Sequence, residues 1–282
     1  MQFGKGESRR GIIKTGLASL AAAFLGTNKS ESAELPVKVD YNKYKKNPGE
    51  TKVVYLGGDQ LHNGVGQKQS IRELMNKAGF RFMYTQDARF VTPELLSDAD
   101  LLMVTRWGGP IEAWSPDPIE EKSPGNDGYM SAEFEDCIVD NVMNRGMGFM
   151  ALHCTVWSPD YKKLLKLMGI NPMMHGPVQT VHIHNINQNH PITKGIGDFD
   201  LPLDENFGAE LIDPKAVSLY ETTGLDDKRH DTAGWCIEQG KGRVVGLGAG
   251  HTYTSWRDKT YRKFYWRGMY WAMKRDIPPF EG

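Results

Sequence analysis

The sequence predicts an α/β fold, a three-layer sandwich in which a mostly parallel sheet is covered by helices on both faces. Apolar runs alternate with amphipathic segments in the first half of the chain, in the order strand, helix, strand, helix, strand. That alternation is typical of parallel sheets. Two later apolar runs, at 148–152 and 244–250, are suited to buried strands. A content of 39% hydrophobic and 24% charged residues agrees with a globular domain.

The helices and strands of the first half are predicted from the spacing of apolar residues and from the residues that begin or end each element. Two glycines end the first apolar run, and helical spacing of apolar residues ends at Gly79. Thr92 and Pro93 are a typical N-cap and first residue of a short helix. Strands are therefore predicted at 52–56, 80–84 and 101–105, and helices at 69–78 and from 93.

The second half is predicted in the same way. It comprises helices at 131–144, 160–168 and 259–274, and strands at 148–152, 179–184, 217–222, 233–238 and 244–250. The stretch 106–130, rich in Pro, Gly and Trp, fits no element, and 185–215 is predicted to be rich in loops. With no internal repeat or linker, residues 35–282 are predicted to form one domain.

Residues 1–34 are predicted to be a signal segment of the twin-arginine type. Arg9-Arg10 precede a weakly apolar stretch that is too short to span a bilayer, and small and polar residues follow. The protein is therefore expected in the periplasm, without a stable membrane span after processing. Without these residues, the net charge is −3, from 29 basic and 32 acidic residues. Such a balance gives no reason to expect nucleic acid as a partner.

Histidines follow both of the later apolar runs, His153 after the first and His251 after the second. In an open α/β sheet, ligands bind outside the carboxyl ends of the strands. The sequence therefore predicts that the two imidazoles face one pocket. The alternative, in which each ring only bonds a neighbouring carbonyl group, stays open.

Other polar side chains are candidates for the same pocket. Asp204 and Glu205 lie in a segment predicted to be a loop, close in sequence to His190. His62 lies in the glycine-containing loop after the first strand, and His175 lies in another loop. Carboxylates and imidazoles together can act as general acid and base, or bind a divalent metal.

Aromatic rings and a thiol add further hypotheses. Trp107 and Trp114 flank the stretch after the third strand, and flat rings suit sugar binding. Cys154 follows His153, and a cysteine after a strand is the nucleophile of class I glutamine amidotransferases. The sequence here lacks the glycines of a sharp nucleophile elbow. Cysteine-dependent chemistry stays an alternative.

Six motifs taken together resemble the ThuA-like family, named for trehalose utilisation. They occur in order as Ala151–His153, Asn189–Ile196, Leu203–Phe207, Gly240–Arg243, Gly250-His251 and Tyr270-Trp271. The resemblance implies a flavodoxin-like fold of the class I glutamine amidotransferase type. It also implies a role in sugar metabolism, with 3-keto-disaccharides or 3-keto-glycosides as substrates. The matching family positions are His153, His190, Asp204, Glu205, Arg243 and His251.

Some members of that family carry a Trp-Gly-His-x-x-His motif suited to a metal after the third strand. This sequence has Trp107-Gly-Gly-Pro-Ile-Glu-Ala-Trp114 there, so Glu112 and His62 are the candidates to replace those histidines. A divalent metal on His153, His251 or His175 is compatible with the sequence.

The resulting hypothesis is an exported enzyme that processes a carbohydrate by His/carboxylate acid–base or metal-assisted chemistry. His153, His251, Glu205 and Asp204 would be catalytic. The substrate would contact Arg243, Trp107, Trp114, His190 and His62. A non-catalytic carbohydrate-binding module on the same fold is the alternative. Homo-oligomer formation stays open.

Overall fold

The computed structural model describes residues 38–59, 61–107, 132–156 and 161–280. Within these ranges, the strands are β1 (Lys52–Gly57), β2 (Arg81–Thr85), β3 (Leu101–Thr105), β4 (Gly148–Leu152), β5 (Ile170–Pro172), β6 (Val178–His184), β7 (Phe199–Glu205), β8 (Ala209–Leu211), β9 (Val217–Gly224), β10 (His230–Gln239) and β11 (Gly242–Leu247). The helices are α1 (Gly64–Ala78), α2 (Pro93–Leu96), α3 (Ala132–Asp140), α4 (Lys162–Met168), α5 (Tyr253–Arg257) and α6 (Tyr261–Ala272).

The main sheet has a parallel part and an antiparallel part. Strands β2, β1, β3, β4 and β11 are neighbours in that order and run parallel. This is the 2-1-3-4-5 order of flavodoxin-like sheets. Strands β10, β9, β6 and β7 continue the sheet with antiparallel pairing, and β5 pairs with β8 separately. The predicted α/β sandwich is confirmed.

Helices bury both faces of this sheet, which gives the three layers. Apolar side chains of α1 and α6, such as Leu74 and Phe264, pack against one face. Side chains of α2, α3 and α4, such as Ile138 and Leu164, pack against the other. The parallel strands β1, β3 and β4 are therefore buried along their whole length. Such continuous apolar strands are expected where both faces are covered.

The prediction of a loop-rich segment at 185–215 was wrong in part, because it contains β7 and β8. Strand β7 lies at the edge of the sheet and includes Pro202. An edge strand tolerates proline since one side of its backbone needs no ladder partner. Asp204 and Glu205 consequently end a strand and do not lie in a loop.

The start of α1 and the end of β11 place side chains at the carboxyl edge of the sheet. Helix α1 begins at Gly64, earlier than the predicted residue 69, because the Asn63 side chain accepts a hydrogen bond from the Gly66 N–H at 3.0 Å. His62 is thereby held just before the helix. Strand β11 ends at Leu247, so His251 lies in the connection to α5 and not directly at the strand end.

None of the helices in the described ranges has the length and apolar character needed to cross a membrane. The predicted signal segment and two candidate site residues, Glu112 and Trp114, lie outside the described residues.

Candidate functional site

Three histidines from three different connections meet at the carboxyl edge of the parallel strands. His62 follows β1, His153 follows β4 and His251 follows β11. The ring centroid of His62 lies 4.9 Å from that of His153 and 5.3 Å from that of His251, and the last two rings are 5.4 Å apart. The predicted meeting of His153 and His251 is confirmed, and His62 joins them.

The Glu205 carboxylate is the acidic centre of this group. Its Oε2 lies 3.5 Å from Nε2 of His153 and 3.2 Å from Nδ1 of His251. Its Oε1 lies 3.4 Å from Nδ1 of His175. Glu205 is only 8% exposed, so one nearly buried carboxylate contacts three imidazoles.

His153 has the most constrained position in the site. It is fully buried, and its φ of 45° lies in the left-handed region that a non-glycine residue rarely adopts. Nδ1 lies 2.9 Å from the Gly248 carbonyl oxygen, which accepts its proton and leaves Nε2 facing Glu205. Strained backbone of this kind concentrates at functional sites.

Asp59, which the sequence-based prediction missed, anchors the His62 loop. One oxygen accepts hydrogen bonds from the His62 backbone at 3.0 Å and from its Nδ1 at 2.7 Å. The other accepts the Trp107 N–H at 2.8 Å. Burial acts to raise the pKa of Asp59, but the bonds from His62 and the backbone prevail and lower it. Its place directly after the glycines that end β1 was the signal that could have revealed it.

The His62 loop is closed by two glycines in contact. Gly58 has a φ of +90°, and a Cβ on it would lie 2.7 Å from the Cα of Gly64. Glycine at both positions lets the backbone turn back on itself between β1 and α1. This close approach carries His62 over the sheet edge towards His153.

Asp204 has a different role from that of its neighbour Glu205. It is fully buried, and its oxygens accept the backbone N–H groups of Gly250 at 2.9 Å, His251 at 2.9 Å and Glu205 at 2.8 Å. The carboxylate of Asp204 therefore faces backbone N–H groups and not the imidazoles, and its catalytic role stays a prediction. Its hydrogen bonds suit a positioning role, because they hold the turn that carries His251.

We expect Asp204→Asn to destabilise the protein by about 2–3 kcal/mol, since the amide NH₂ cannot accept the bonds that one carboxylate oxygen now accepts. Urea unfolding of the variant measures this. Asp200→Asn is the matched control, because Asp200 is exposed and pairs with His182 at the surface. That control is expected to cost at most about 1 kcal/mol. Equal costs for the two variants would contradict the positioning role.

The surroundings of the site residues shift their pKa values. Burial lowers the pKa of His153, although Glu205 acts in the opposite direction. For His251, the contact with Glu205 is the largest influence and raises the pKa. Burial acts to raise the pKa of Glu205, but the contacts with His153 and His251 together hold it well below its usual range. The site thus combines an ionised carboxylate with imidazoles in unequal environments.

Cys154 lies beside this cluster without the properties of a nucleophile. It is buried, and its Sγ lies 3.8 Å from Oδ2 of Asp59. Burial, followed by the charge of Asp59, raises the pKa of the Cys154 thiol well above its ordinary value. Only a thiolate is an effective nucleophile. The structure therefore disfavours cysteine-dependent chemistry here.

Two predicted substrate contacts, Arg243 and His190, do not reach the cluster. Arg243 lies near the start of β11, four strand residues or about 13 Å before Leu247. It bonds Glu238 and packs over the Trp271 ring at 4.6 Å. His190 lies 5.5 Å from the same ring, with Nε2 3.5 Å from Cys236 Sγ. The structure places both side chains against α6 and away from the cluster, and their contact with a substrate stays a prediction.

The remaining candidates lie at the margin of the cluster. Trp107 is 8% exposed, and its backbone bonds Asp59. His175 is about one-third exposed and stacks on Phe207, which ends the Leu203–Phe207 motif but was not a candidate for the site. One group of nitrogens that lie within 4.8 Å of one another belongs to His62, His153 and His251. His175 is not in that group, and its assignment as a metal ligand stays a prediction.

Comparison with known proteins identifies relatives of this fold. A sequence model of the ThuA family, described as trehalose utilisation, matches residues 52–272. Comparison with curated proteins gave no match.

Solved structures show the same fold at low sequence identity. A protein described as ThuA-like from Parabacteroides merdae is 13% identical, with a TM-score of 0.63 over 82% of this chain and 93% of that one. One from Bacteroides uniformis is 15% identical, with a TM-score of 0.59 over 84% and 95%. A β-galactosidase from Rahnella sp. R3 is 12% identical, with a TM-score of 0.54 over 81% of this chain and 32% of the enzyme.

Proposed function

Since this chain belongs to the ThuA family, we propose that it is an enzyme that processes a carbohydrate at the cluster of Glu205, His153, His251 and His175. The observation that carries the proposal is the single carboxylate in contact with three imidazoles. This arrangement gathers several groups that can take up or release a proton, and such groups serve as general acids and bases. The substrate class we favour is a 3-keto-glycoside or 3-keto-disaccharide, which the resemblance to the family implies.

The cluster suits chemistry next to a ketone. A base removes a proton from the carbon beside the carbonyl group, and an acid returns a proton to the leaving oxygen. Glu205 lies between the partly exposed rings of His251 and His175, 3.2 and 3.4 Å from their Nδ1 atoms. Catalytic hydrogen bonds are often long without substrate and tighten when it binds, and this would allow proton exchange between these groups. His153 is fully buried behind them, where it orients the carboxylate. The partly exposed rings are thus the ones that a sugar would contact.

Incubation with paired glycosides tests this function. We expect purified protein to convert a 3-keto-glucoside into products visible by NMR, and to leave the parent glucoside unchanged. Saturable binding of the sugars without any product from either class would contradict the proposal. That result would support the carbohydrate-binding module instead.

We also propose that residues 1–34 direct export through the twin-arginine route, on the basis of Arg9-Arg10 and the apolar stretch after them. Replacement of both arginines by lysine keeps the charge but removes the signal. We expect the variant to accumulate in the cytoplasm in cell fractionation, while Lys5→Arg/Lys14→Arg leaves export unchanged. Equal periplasmic amounts of the twin-lysine variant and the unaltered protein would contradict this route.

A further inference from the structure

We propose that His62, His153 and His251 form a binding site for a single divalent transition-metal ion of the zinc class. The inference deepens the proposed function, since it concerns the same cluster. Imidazole nitrogens of these residues lie within 4.8 Å of one another. Two nitrogens bound to one tetrahedral zinc ion at about 2.1 Å lie about 3.4 Å apart, so the widest possible pair has to close by about 1.4 Å when the ion binds.

The hydrogen bonds of the His62 and His153 rings leave one nitrogen of each ring available to bind a metal ion. Nδ1 of His62 bonds Asp59, and Nδ1 of His153 lies 2.9 Å from the Gly248 carbonyl oxygen. In protein metal sites, a ligating histidine characteristically gives its other ring N–H to a carboxylate or a carbonyl group. Both rings therefore have the outer partners of metal ligands, and each keeps Nε2 for the ion.

Two buried nitrogens lack a satisfying partner without an ion. Nε2 of His153 and Nδ1 of His251 are buried and make no hydrogen bond within the described residues. Glu205 lies 3.5 and 3.2 Å from them, but neither contact has hydrogen-bond alignment. His153 is fully buried, so its unpartnered nitrogen is costly unless a ligand satisfies it. A cation between the rings and Glu205 would satisfy both nitrogens and the carboxylate.

The donor set indicates the class of ion. Imidazole nitrogens with one adjacent carboxylate suit zinc and neighbouring transition metals, whereas calcium and magnesium prefer oxygen ligands. The His251 side chain is 25% exposed, which leaves one side of the group accessible to a small molecule. Three protein ligands with an open position are the pattern of catalytic zinc sites.

A surface group provides the matched comparison. His182, His184 and Asp198 also lie within 4.8 Å of one another. There, however, His182 pairs with Asp200, and Nε2 of His184 lies 2.9 Å from the Thr223 hydroxyl oxygen. Those side chains are about one-third exposed or more. Their nitrogens already have partners, so this group is the control for adventitious binding.

The test is titration of chelator-treated protein with ZnCl₂ by calorimetry, together with visible absorption of bound Co²⁺. We expect one ion per chain, and His62→Ala should weaken binding more than about 100-fold. Asp59→Asn keeps all three imidazoles and should weaken it about 10–100-fold, which covers the case in which His62→Ala does not fold. The double variant His182→Ala/His184→Ala should bind as tightly as the unaltered protein.

Three results would overturn the site. They are the absence of Zn²⁺ binding, loss of binding only in the His182→Ala/His184→Ala variant, and equal affinity of Asp59→Asn and the unaltered protein. The proposed function and the proposed metal site can be refuted independently of each other. A protein that converts the sugar but binds no Zn²⁺ would refute the metal site alone, and a zinc-loaded protein that converts no sugar would refute the enzyme alone.

Discussion

Glu205→Gln is expected to lower kcat/KM on a 3-keto-glycoside by about 10²–10⁴-fold, the range in which a general acid or base contributes. Glutamine keeps the size of the side chain but cannot take up a proton. Since Glu205 contacts His153, His175 and His251, the substitution removes the one charge that these imidazoles share. Initial rates at saturating and limiting substrate measure the loss.

Glu221→Gln is the control for this variant. Glu221 also contacts a histidine, His230, at 2.7 Å, but this pair lies at the surface on β9 and β10. We expect its rates to stay within about two-fold of those of the unaltered protein. If both variants were equally active, Glu205 would have no part in the chemistry.

His153→Asn has the second large effect, a loss of about 10³-fold in kcat/KM. Asparagine is chosen because it tolerates the positive φ of this position, so the backbone strain does not increase. The substitution removes the ring between the Gly248 carbonyl and Glu205 and frees the carboxylate to move.

For the His153→Asn variant, thermal stability is measured as well as activity. Thermal unfolding separates a structural defect from a catalytic one, and His184→Asn is the surface control. A variant with native stability and normal turnover would exclude His153 from the mechanism. An unstable variant with normal turnover per folded molecule would exclude it equally.

The meeting of His153 and His251 could be predicted from sequence because a topological rule governs it. Both follow apolar runs that become neighbouring parallel strands, β4 and β11, and such strands end at one edge. The same rule applied to the glycines after β1 would have pointed to Asp59 as well as to His62. It would also have excluded Arg243, which is the second residue of its strand.

The separate roles of Asp204 and Glu205 could not be predicted in this way. Successive residues of a strand point to opposite sides, so one acid faces backbone and the other the imidazoles. That distinction required β7 to be recognised as a strand. Pro202 and the charged residues around it hid the strand, because propensity alone disfavours proline in a sheet.

The position of His190 depended on long-range packing. Its proline-containing segment lies against α6, where the ring contacts Cys236 and Trp271. These partners are distant in sequence, and no local pattern specifies them. The matching family motif indicated a shared position, but it gave no information about which edge of the sheet that position occupies.

A crystal structure of the Glu205→Gln variant soaked with a 3-keto-glycoside would show whether the sugar binds at the histidine cluster, because it locates the sugar independently of rate measurements. We expect sugar density at the carboxyl edge, within hydrogen-bond distance of His251 or His175. Density confined to the region of Arg243 and Trp271, at the other end of β11, would contradict this expectation.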